Sequence, residues 1–127
     1  MSPENLWGDI PLNVGIVTPV SILREQAAAL KDATKETLIG RVVQFGSGTD
    51  SMQYGLRIIA PLVGNYQYEV CQIHHDIALY PVFLADSTTG SGHKCANEKE
   101  LKDGLAQIFK QDRVRQVIQS LIAQSRK

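Results

Sequence analysis

The stretch YQYEVCQIHHDIALYPVFLA, residues 66–85, decides how the chain is read. Its first half alternates in part, with Tyr66, Tyr68 and Val70 set opposite Gln67, Glu69 and Cys71, as a half-buried strand requires. Its last part, IALYPVFLA (77–85), is apolar on both phases and reads as a second strand covered on both faces, although Pro81 removes a ladder donor there. Between them stand His74, His75 and Asp76, polar residues that tolerate turn conformations, so the reading places a tight hairpin between residues 73 and 77.

Working outward, two more strands precede this pair. TLIGRVVQF (37–45) is rich in branched and aromatic residues and ends at GSGTDS (46–51), read as a hairpin loop. MQYGLRIIAPL (52–62) ends at the turn signal Val63-Gly64-Asn65, with Pro61 at a strand end or bulge. Four consecutive strands without intervening helices form a β-meander.

Helices flank the meander. Thr18-Pro19 is a start signal, because threonine caps orphan N–H groups and proline lacks the donor that would be orphaned. Leu23, Ala27, Leu30 and Thr34 then share one stripe, giving a helix over 19–35. After the polar loop DSTTGSGHKCAN (86–97), Asn97 and Glu100 form a capping-box pattern. The stripe Leu101, Leu105, Ile108, Phe109 changes phase to Val114, Val117, Ile118, Leu121, Ile122. The change predicts a break near Gln111-Asp112, with Asp112 capping a second helix to about residue 124; one kinked helix is the alternative. The fold class is therefore α+β: an antiparallel sheet of about four strands with an N-terminal helix and one or two C-terminal helices on one face. Residues 1–17, punctuated by Pro3, Gly8, Pro11 and Gly15, form an arm, with Trp7 expected to anchor it on the core.

The whole, residues 1–127, is read as one domain, and 43% hydrophobic with 20% charged residues is ordinary globular usage. Thirteen basic residues balance thirteen acidic ones, which removes the global field that nucleic acid needs; the sheet tyrosines Tyr54, Tyr66, Tyr68 and Tyr80 lack the basic groove of a stacking platform. The balance hides an asymmetry. Residues 97–127 hold seven basic and four acidic side chains, net +3, and the first 96 residues are net −3, a dipole able to align two copies. No apolar run of about 20 residues and no signal pattern is present, so neither nucleic acid nor membrane is expected and the location is read as cytoplasmic. Cys71 and Cys95 are too few for a disulfide framework; Cys71 is read as a small core hydrophobe, with a single Cys71–Cys95 bridge left open.

Two chemical readings compete for the histidines. A strand would put His74 and Asp76 on one face and His75 on the other. With His93 as third ligand, His74 and Asp76 resemble in type the two-histidine, one-carboxylate set that holds non-haem iron; His74, His93 and Cys95, with or without Asp76, would be a zinc set. Against this, the iron motif sits on barrels of about eight strands, twice what is read here. There is no GxSxG elbow, no lysine in GSGTDS or TTGSG (88–92) to complete a phosphate loop, and no cysteine nucleophile signature. The expectation is a small cytoplasmic, non-enzymatic protein without cofactor that binds a partner protein or a second copy of itself through His74, His75, Tyr66 and Tyr68. Immunity-like, antitoxin-like and subunit roles all fit. The alternative is a metal-binding protein or metal-dependent enzyme using His74, Asp76 and His93.

Overall fold

The computed structural model describes residues 4–45 and 51–126; most of the GSGTDS loop read as a hairpin connection lies outside the described residues. The elements run α1 (Pro19–Ala33), β1 (Ile39–Phe45), β2 (Met52–Ala60), β3 (Tyr66–His75), β4 (Val82–Asp86), β5 (Gly92–Cys95), α2 (Glu98–Phe109) and α3 (Asp112–Ser125). All neighbouring strands are antiparallel, in the order β1-β2-β3-β4-β5. The α+β meander with one N-terminal and two C-terminal helices is thus the fold, extended by a fifth strand. That strand, GHKC, lies inside the stretch read as a loop. It is a four-residue edge strand, defined by pairing Cys95 with Val82 and His93 with Leu84 more than by any pattern of its own.

Register sorts the sheet into two faces. Val42, Leu56, Cys71, Ile73, Leu84, Val82 and Cys95 pair with one another across the ladders and face the helices. They meet Ile22, Leu23 and Ala27 of α1, Leu101, Leu105 and Ile108 of α2 and Leu121 of α3 in one core. The ladder skips Val70, where Leu56 pairs with Cys71 but Arg57 with Glu69; this bulge leaves Val70 buried in the same core. Helix α1 comes closest at Gly40, where a Cβ would lie 2.5 Å from the Ala27 Cα, so only glycine permits the approach.

Capping follows the sequence at two of three helices. The Thr18 hydroxyl accepts from Ser21 N at 3.2 Å, and Asn97 Oδ1 accepts from Glu100 N at 2.9 Å. At α3 the cap position is Gln111, which makes no side-chain cap; Asp112 is the first helical residue. The Gln111 amide is engaged elsewhere, donating to Asp86 at the end of β4.

Two further expectations fail. The hairpin turn is not at His74–Asp76, because β3 continues through His75; the connection occupies residues 76–81, and Ile77 is 81% exposed. Asp76 starts the turn by accepting from Ala78 N at 2.8 Å, and β4 begins only after Pro81, which has no N–H to give the ladder. Trp7 does not anchor the arm, being 84% exposed. No helix among the described residues is long and apolar enough to cross a membrane.

Candidate functional site

The end of β3 places its two histidines on opposite faces, as strand alternation demands. His74 pairs with Phe83 of β4 and Gln53 of β2 on the helix-free face. Its ring stacks on Phe83, centroids 4.9 Å apart and planes at 29°. Phe83 in turn lies over Gly92 of β5, where a Cβ would meet its Cε1 at 2.7 Å. A shallow cleft of about 290 Å3 opens here, lined by Ser51, His74, Phe83, Lys94 and the turn residues Asp76 and Pro81, with His75 behind them. Elsewhere on the face, Arg57 lies 5.6 Å over the Phe45 ring and 3.7 Å from Glu69.

His75 faces the helical side and is 5% exposed, beside Tyr54 with centroids 6.2 Å apart. Its Nδ1 is 2.7 Å from the Asp76 carbonyl oxygen, which can only accept, so Nδ1 carries the proton. Among the described residues no hydrogen-bond partner meets the buried Nε2. His75 is accordingly a packing residue at this end of the sheet.

His93 does not join His74. It sits on β5 opposite Leu84, on the helical face, with its Nε2 2.9 Å from where a Gly104 Cβ would be. Cys95, two residues on, points to that same face and is buried, which pushes its thiol up. The strand pairing therefore splits His74 from both His93 and Cys95, and the Asp76 carboxylate is occupied in the turn. Among the described residues no three His, Cys, Asp or Glu side chains converge as metal ligands.

Of the tyrosines expected to meet a partner, Tyr68 is half-buried and its hydroxyl pairs with Thr88 Oγ1 at 2.6 Å, a structural bond. Tyr66 is exposed on the helical side. With Val63, it flanks a cleft of about 320 Å3 against α3, lined there by Arg113, Gln116, Ser120 and Gln124. Sequence reading passed over Phe83, Lys94 and Arg113. The first two join His74 only through strand pairing, which single-strand alternation does not reveal; the +3 balance of the C-terminal quarter was the available signal for Arg113.

A segment of 51 residues, 38% of the chain, is 39% identical to the D-alanine--D-alanine ligases of Staphylococcus saprophyticus and Staphylococcus epidermidis. The match spans 14% of the length of either enzyme. No protein-family model and no solved structure matches the chain.

Proposed function

We propose that the protein is a non-catalytic binding module that presents the β3–β5 end of its helix-free sheet face to a partner protein. The observation that carries this reading is the His74–Phe83 stack, an aromatic pair held open to solvent on rigid strands beside Lys94 and Ser51. Aromatic side chains on a rigid scaffold, next to a cation, are the groups that anchor protein interfaces at small entropic cost. The other titratable groups near it have structural partners: Asp76 holds the turn and His75 is buried. Such a module suits the role of accessory subunit or of an immunity- or antitoxin-like inhibitor that occludes another protein.

The test is capture from an extract of the native host with wild-type protein and with the double variant His74→Ala/Phe83→Ala. A protein retained by the wild type and lost with the variant is the expected result. Equal retention by both, or recovery of the wild type alone under mild conditions, overturns the reading.

A further inference from the structure

Strand register aligns one residue from every strand across the helix-free face. Phe45 of β1 pairs with Gln53 of β2, Gln53 with His74 of β3, His74 with Phe83 of β4, and Phe83 with Lys94 of β5. Four strand spacings of about 4.8 Å make this row about 19 Å long, the span of roughly six residues of extended chain. The adjoining row, Val43, Gly55, Gln72, Ala85 and Gly92, pairs in the same way and is low. A Cβ on Gly55 would meet the Phe45 ring at 2.7 Å, and one on Gly92 would meet the Phe83 ring at 2.7 Å. Each phenylalanine therefore leans over bare backbone on the next strand. Each also carries a planar nitrogen group, the Arg57 guanidinium at 5.6 Å from Phe45 and the His74 ring at 4.9 Å from Phe83. The His74–Phe83 stack thus has a counterpart at the other side of the same face.

The charge of this face is one-sided. Arg41 and Arg57 stand directly opposite each other across β1 and β2, a like-charge pairing that destabilises a sheet unless an anion answers it. Glu69 lies 3.7 Å from Arg57, but it already accepts from the Gln72 amide and the Ser87 hydroxyl. The Asp76 carboxylate at the rim is taken up by the turn. Arg41 and Lys94 are exposed, and among the described residues neither makes an ion pair.

We infer that the partner meets this face with an extended acidic segment lying along the row Phe45–Gln53–His74–Phe83–Lys94, its carboxylates on Arg41, Arg57 and Lys94 and an aromatic side chain between the two phenylalanines. The inference rests on the proposed function and adds to it the partner's chemistry and a second anchor, Phe45 with its two arginines. Charge complementarity selects the occupant, because cations flank both ends of the row. A single small anion cannot span about 19 Å, whereas a short extended chain does. Nucleic acid is disfavoured, since three cations would neutralise too few phosphates to hold a strand.

The probe is a capped peptide of glutamates around one tryptophan, with a lysine-for-glutamate counterpart as control. Both are titrated into the full chain by calorimetry and followed by amide chemical shifts. The acidic peptide should bind, shift Phe45 and Gln53 as well as His74, Phe83 and Lys94, and weaken as salt rises. Arg41→Glu should weaken it by about tenfold or more, and Arg41→Glu/Lys94→Glu should bind the lysine peptide instead, because the charges again attract. Both positions are exposed, and an unchanged thermal melt confirms that the variants fold. No binding of the acidic peptide, equal binding of the lysine peptide by wild type, indifference to Arg41→Glu, or tighter binding of oligothymidylate overturns the inference. A host protein lost with His74→Ala/Phe83→Ala but held equally by Arg41→Glu/Lys94→Glu overturns it too, and leaves the binding-module reading standing.

Discussion

The His74 imidazole lies on the Phe83 ring across the β3–β4 ladder, centroids 4.9 Å apart, and Phe83 also covers Gly92 on β5. One exposed aromatic thus links three strands at the edge where the sheet is narrowest. Cross-strand aromatic pairs couple by about 0.5–1.5 kcal/mol beyond their burial. A double-mutant cycle on His74→Ala and Phe83→Ala, read from urea unfolding, should return a coupling in that range. A coupling near zero would reduce the stack to a surface coincidence and weaken its role as a preformed anchor.

The approach of α1 to β1 rests on a missing side chain. A Cβ on Gly40 would stand 2.5 Å from the Ala27 Cα and 2.8 Å from its carbonyl oxygen, backbone atoms that move only with the whole helix. Gly40→Ala should therefore cost about 1–3 kcal/mol, the usual range for overpacking, despite alanine's better intrinsic propensities. Ala27→Gly should not rescue it, because the clash is with the α1 backbone; urea midpoints of the two single variants and the double variant check both statements.

Asp86 ties the sheet to the junction of α2 and α3. Burial pushes its carboxyl up, but donation from the Gln111 amide and from the backbone N–H groups of Thr88 and Thr89 outweighs this and holds it below the usual carboxylate value. A depressed native pKa stabilises the fold above the unfolded value, near 3.9, and that stabilisation is lost as pH falls through the native one. Urea midpoints measured from pH 6 down to pH 2 should fall most steeply below about pH 4. Gln111→Ala should lower stability at neutral pH by about 1–3 kcal/mol, since a buried carboxylate loses a donor, and should flatten the acid limb.

How far the sequence speaks for the structure depends on where each residue's environment comes from. Thr18-Pro19, Asn97 and the phase change near Gln111 act through their own neighbours, and the helices begin and break there. The opposite faces of His74 and His75 follow from alternation alone. The run Ile77 to Pro81 misleads because apolar character signals a strand only where a neighbour is available to pair. Here Asp76 turns the chain and leaves Ile77 in solvent. GHKC is the converse case, a strand made by β4 from residues with no strand pattern. Trp7 fails for a similar reason: burial of an aromatic on an arm needs a surface packed against it, and among the described residues Trp7 stays 84% exposed. The separation of His74 from His93 likewise waits on the β4–β5 register, which no spacing between histidines encodes.

The cysteines carry the last prediction. Both are free and buried, and burial, helped by Asp86 and Glu69, pushes the Cys71 thiol up to about 12. The thiolate is the reactive form, so neither cysteine should be labelled by a disulfide reagent at pH 8 in the native protein. Labelling should instead track global unfolding, with two thiols appearing together in urea. The same shift has an alkaline consequence. A raised native pKa stabilises the fold fully below the unfolded thiol value, near 8.5, and that contribution fades as pH rises towards the native value. Urea midpoints should therefore decline from about pH 8.5 upward. Cys71→Ala should start lower at pH 7, having lost a packed side chain, and should show a shallower alkaline decline. A decline of equal slope in the variant would assign the alkaline loss to other groups, the Tyr80 hydroxyl first, since burial and then Glu98 raise it as well.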